Sequence, residues 1–89
     1  MTPSTPTGPY ADVPTTVVYD TFAETAARLT AHYTRLSDTA ATPEEREQWW
    51  NKVLQLRDTR RAVPAHDRDQ LIAHIQRWQA ELARLGDHD

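Results

Sequence analysis

The chain contains no cysteine. No disulfide can staple it, and no thiolate can hold a metal. Among its 89 residues only Gly8 and Gly86 are glycine, which excludes a glycine-rich loop that cradles phosphate. Lysine occurs once, at Lys52, and the net charge is −3. That balance argues against a protein whose main task is gripping phosphate backbones. It also falls short of the acidity of a nucleic-acid mimic. No apolar run approaches the roughly 20 residues that span a bilayer. No basic stretch followed by an apolar run opens the chain, so no secretory signal is expected and a cytoplasmic location is the default.

What is present is modest. Hydrophobic residues make up 38 % of the sequence and charged residues 26 %, enough for one small domain with a small core. Nine arginines against one lysine, with one asparagine and two isoleucines, suit a GC-rich genome and a small bacterial protein.

Residues 1–16 carry Pro3, Pro6, Pro9 and Pro14 among threonines. This composition predicts a flexible or extended N-terminal arm. The β-branched and aromatic run from Thr15 to Tyr19 could be a brief extended segment and reads as the lead-in to a helix. Three helical segments follow within 17–86, expected over about 20–38, 43–63 and 67–85, and 87–89 form a polar tail. In the first, Thr21 with Glu24 fits a capping box, with Asp20 as a competing cap. The second opens on Thr42-Pro43-Glu44-Glu45, an N-cap threonine, a first-position proline and a glutamate at the third helical position. Pro64 closes it. In the third, Asp67 with Gln70 is a further capping pattern, and Gly86 supplies the stop.

Each segment spaces its apolar positions by 4, 3, 4 and 3. The first uses Phe22, Ala26, Leu29, Tyr33 and Leu36. The second uses Trp49, Val53, Leu56, Arg60 and Val63, and the third Leu71, Ile75, Trp78, Leu82 and Leu85. At 100° per residue such a set occupies an arc of about 80°, a seam like that of a coiled coil. Three such helices joined by short links predict an all-α, up-down-up three-helix bundle.

The second helix carries another stripe. Trp50, Leu54, Arg57 and Arg61 are spaced 4, 3 and 4, roughly 100° round from the Trp49 seam. Two uses are open to it. Helix 2 can be the middle helix, touching both neighbours. Alternatively the stripe meets another chain, since tryptophan and arginine dominate interface hot spots. Arg57 and Arg61 have no acid on their own face, whereas Glu24–Arg28 and Arg77–Glu81 are i,i+4 pairs.

Other chemistry finds little support. Residues 42–64 hold five basic and four acidic side chains, a feeble footprint for DNA. The link from Val63 to Asp67 lacks the glycine usual in a helix-turn-helix. His32, His66, His74 and His88 show no metal-ligand spacing, so no metal is expected, and their side chains are expected to be exposed with ordinary titration. The paired carboxylates Glu44–Glu45 and Asp67–Asp69 sit in first turns, where capping and the helix dipole explain them. Neither Ser4 nor Ser37 has a base at a telling spacing. No catalytic residue, cofactor or small-molecule substrate is expected, and a closed pocket of several hundred Å³ exceeds what three short helices enclose.

The sequence therefore predicts a non-enzymatic interaction module. It self-associates or binds a larger protein through Trp50, Leu54, Arg57 and Arg61. The alternatives are a dimeric DNA-binding regulator using the basic end of helix 2, and an antitoxin-like inhibitor of a partner protein.

Overall fold

The computed structural model describes residues 10–86. They form three helices, α1 (Thr15–Asp38), α2 (Pro43–Ala62) and α3 (Arg68–Arg84), with no strand among the described residues. The protein is all-α.

Two helix starts use the side chains that the sequence offers. The Thr42 hydroxyl accepts from the Glu45 amide at 3.1 Å, and Asp67 Oδ1 accepts from the Gln70 amide at 3.2 Å. The Gln70 side chain adds a 2.7 Å bond back to Asp67. Each cap satisfies one amide that the helix itself leaves unpaired, a gain of about 1 kcal/mol. At the far end of α3, Gly86 has a φ of 87°, the left-handed geometry that ends helices at low cost for glycine.

The first helix departs from expectation. It begins at Thr15, not near Asp20, so the Thr15–Val18 run is helical. Its start at Pro14 has no side-chain cap. Instead the Pro14 carbonyl accepts from both Val17 and Val18 amides at 3.0 Å. Burial supplies the missing drive, because Val18 is 0 % exposed. Tertiary packing here outweighs the weak helix preference of β-branched residues. Part of the expected arm is also engaged. Tyr10 and Val13 pack against the core, and the Tyr10 carbonyl accepts a hydrogen bond from Arg68. The same guanidinium reaches the Thr15 hydroxyl at 3.3 Å. Residues 1–9 and 87–89, the rest of the expected arm and the polar tail, lie outside the described residues.

The core is one cluster. Val18, Phe22, Ala26, Leu29 and Tyr33 come from α1, and Leu71, Ile75, Trp78 and Leu82 from α3. α2 gives only Val53 and Leu56, with Val63 just beyond it. Leu36, Trp49 and Leu85 are partly buried against this cluster, and Arg60 is exposed. The guanidinium stays in water because an apolar core could not replace its hydration. Both buried polar side chains find backbone partners. Thr25 Oγ1 donates to the Thr21 carbonyl at 2.7 Å, and Ser37 Oγ to the Arg46 carbonyl at 3.2 Å.

The middle helix is α1, not α2. It packs on both others, whereas no Cα of α2 comes within 8 Å of a Cα of α3. Along α1 the partners change in order. On the α3 side, Thr15 meets Arg68, Phe22 meets His74 and Trp78, and Tyr33 meets Glu81. On the α2 side, Ser37 meets Arg46 and Tyr33 stacks on Trp49 with ring centroids 5.9 Å apart. Among the described residues no helix is long and apolar enough to cross a membrane.

Candidate functional site

The stripe on α2 lies on the side of that helix turned away from α3. Lys52, Gln55 and Thr59 face the gap towards α3, while the stripe residues do not line it. This position follows from the seam. With Trp49, Val53 and Leu56 set against α1, a rotation of 100° carries Trp50 out to one side.

Trp50 is 47 % exposed, and it and Val17 are the large hydrophobic residues left open among the described residues. It borders a shallow hollow with Pro43, Arg46, Glu47 and Ser37. Leu54, one turn on, is half-buried. Arg57 and Arg61 are exposed and come together with Arg60 in a second hollow beside Tyr19. Arg57 lies 3.6 Å from the Asp58 carboxylate, a loose surface pair between two exposed side chains. So the acid that Arg57 lacks on its own face comes from the adjacent position. Such a pair contributes little to folding.

The structure also assembles a cluster that helical spacing does not reveal. The Tyr33 hydroxyl on α1 donates to Glu81 Oε2 on α3 at 2.7 Å. Arg84 Nε donates to Glu81 Oε1 at 2.6 Å. Lys52 of α2 stands over the Tyr33 ring, 5.8 Å from its centroid, within reach of a cation–π attraction. Tyr33 thus ties all three helices together. Its hydrogen-bond partner Glu81 is 48 positions away in sequence and on another helix, so no local pattern announces it. The expected Arg77–Glu81 pairing gives way to Arg84, which closes on the same carboxylate from one turn further along.

Charge follows geometry. The Arg84 hydrogen bond, aided by the Tyr33 hydroxyl and opposed by burial, pulls the Glu81 carboxyl down to about 2. Burial, reinforced by the hydrogen bond to Glu81, pushes the Tyr33 phenol well above its ordinary value. Glu81 is therefore an anion at every physiological pH and Tyr33 a neutral donor. The stability that Glu81 adds is present above its ordinary value of 4.5 and is lost as pH falls from there towards 2. Glu81→Gln keeps an acceptor for Tyr33 but loses the charge. We expect its Tm to lie a few degrees below wild type at neutral pH, and the gap to close as pH falls below about 4.5. Thermal melts over a pH series check this; a gap that stays constant into acid contradicts it.

Two histidines depart from the expectation: His32 and His74 are half-buried. The His74 ring lies 5.4 Å from Trp78 and 6.3 Å from Phe22. Burial, with Arg77 nearby, lowers its pKa. Among the described residues no group of three or more histidine, aspartate or glutamate side chains is placed to hold a metal ion.

Between α2 and α3, with α1 as its floor, runs an open cleft of about 380 Å³. Compared with family models, curated proteins and solved structures, the chain matches none of them.

Proposed function

We propose that this chain is a self-associating interaction module that pairs through the outer stripe of α2. The carrying observation is Trp50, half exposed on the outer face of α2. Adding Glu47 extends the stripe to Glu47, Trp50, Leu54, Arg57 and Arg61, spaced 3, 4, 3 and 4. That is a second seam in its own right.

The charges along it favour a copy of the same chain. The acid is at one end, the arginines at the other and Leu54 at the middle. Two α2 helices packed antiparallel about a two-fold axis at Leu54 bring Glu47 opposite Arg61 of the partner subunit. Trp50 then lies beside the partner's Arg57, and two leucines meet at the axis. Such a two-fold contact is closed and stops at a dimer. The area is that of one helix face, so the affinity is micromolar rather than nanomolar. Within each copy the chain direction is up, down and up, with α1 in the centre and apolar seams facing inward. The ordered change of partners along α1 supports that reading. The protein does no chemistry of its own in this account.

Charge reversal tests the register. Glu47→Arg and Arg61→Glu each set like charges against one another twice per dimer. Each is expected to weaken association about tenfold. The double variant restores both pairs and should recover most of the loss. Sedimentation or light scattering reads the outcome. Additive loss in the double variant contradicts the antiparallel register.

A second reading has one observation in its favour. Arg57, Arg60 and Arg61 gather in a hollow of about 420 Å³ beside Tyr19, which suits phosphate oxygens and hence a dimeric DNA-binding regulator. Retention on DNA that vanishes with added salt and with Arg57→Ala/Arg61→Ala is its signature.

A further inference from the structure

The cleft between α2 and α3 lies on the other side of α2 from the proposed dimer stripe, so it stays open in that dimer. Its floor is apolar: Leu29 from α1, Leu56 from α2 and Trp78 from α3. Its walls are cationic. Lys52 stands on the α2 side, and Arg77 and Arg84 on the α3 side. Only one carboxylate, Glu81, lines it, and that group is already held by Arg84 and the Tyr33 hydroxyl. Glu81 compensates Arg84 through its hydrogen bond, and two further cations line the cleft, Lys52 over the Tyr33 ring and Arg77 on the α3 wall.

This arrangement is unusual for a chain of net charge −3. The α2 and α3 backbones stay apart, and like charges on the opposing walls oppose closure. An anion between them would turn that repulsion into two attractions. The apolar floor would at the same time take hydrocarbon out of water. From Lys52 to Thr59 the α2 wall rises by about 10 Å, so the space admits a short tail and not a long chain. The volume of about 380 Å³ is within the range of small-molecule sites, which in helical bundles lie between helices.

We propose that this cleft binds a small amphiphilic anion, one acidic head group on a short apolar tail. The tail lies over Leu29, Leu56 and Trp78, and the head is shared between Lys52 and Arg77. The floor is shallow and open, so affinity is near the millimolar range. The site does not depend on the dimer.

The test is an amide and indole NMR titration of the full chain with octanoate and, in parallel, octyl phosphate. Octanol controls for the tail and acetate for the head. We expect saturable shifts centred on Leu29, Leu56 and the Trp78 indole with at least one of the two anions. Octanol and acetate should bind at least about tenfold more weakly. Lys52→Ala/Arg77→Ala changes exposed side chains only, so it should keep its helical content and lose about tenfold in affinity. Three results overturn the proposal: no saturable shift with either anion, octanol binding as tightly as octanoate, or the double variant binding like wild type. Repeating the titration on Trp50→Ala/Leu54→Ser separates this site from the dimer, since the cleft should bind equally well in that variant.

Discussion

Phe22→Ala is expected to leave the chain largely unfolded at 25 °C. Phe22 is 0 % exposed and sits where α1 meets α3. Its ring centroid lies 5.0 Å from Trp78, 6.0 Å from Tyr19 and 6.3 Å from His74. Truncation removes the buried ring and leaves a hole that three aromatic neighbours cannot refill, because rigid rings collapse poorly. Changes of this kind cost about 3–5 kcal/mol. A single small core without a disulfide rarely supplies more than about 3–5 kcal/mol in a domain near this size, so the change removes most or all of the folding stability. Loss of most far-ultraviolet circular dichroism and of a cooperative melt is the expected result. Phe22→Leu keeps most of the volume and should remain folded with a lower Tm. If Phe22→Ala melts like wild type, the α1–α3 interface is not the centre of the fold.

Trp50→Ala with Leu54→Ser is expected to do the reverse: abolish association and leave the helices intact. Trp50 is already half in water and Leu54 is only half-buried. Their removal costs the single chain less than loss of a core residue, since half-exposed side chains have fewer contacts to lose. In the proposed dimer the same two residues form the desolvated centre, where truncation costs about 2 kcal/mol or more. Association should therefore weaken by about thirtyfold or more, with an unchanged helical signal. A double variant that unfolds, while its residual folded fraction still associates, would place this face in the core of the single chain.

Much of the fold is legible in the sequence because helical periodicity is a local property. Every buried hydrophobic residue except Val18 falls on one of the three seams read from spacing. The caps at Thr42 and Asp67 are legible for the same reason, since cap and amide lie three residues apart. Val18 is missed because its helix start has no capping signal and depends on distant packing. The docking of Tyr10 on Arg68 spans 58 positions and likewise leaves no local trace.

The middle helix illustrates a different limit. A wide apolar arc on α2 states how much surface needs covering and not which element covers it. Trp49 is stacked on Tyr33, so α1 satisfies the inner seam and no third helix is needed there. Trp50 is then left outside. The Tyr33–Glu81–Arg84 cluster and the cleft beside it depend on which helices become neighbours, and spacing within one helix carries no information on that.

In the proposed dimer α2 joins two copies of this chain. Absolute mass in solution, measured by light scattering behind size exclusion over a range of concentrations, tests it most directly. The mass is expected to rise from 10.2 kDa towards about twice that value as concentration passes through the micromolar range. Trp50→Ala/Leu54→Ser should hold at the single-chain mass throughout. A wild-type chain that stays at 10.2 kDa at every concentration contradicts self-association through α2.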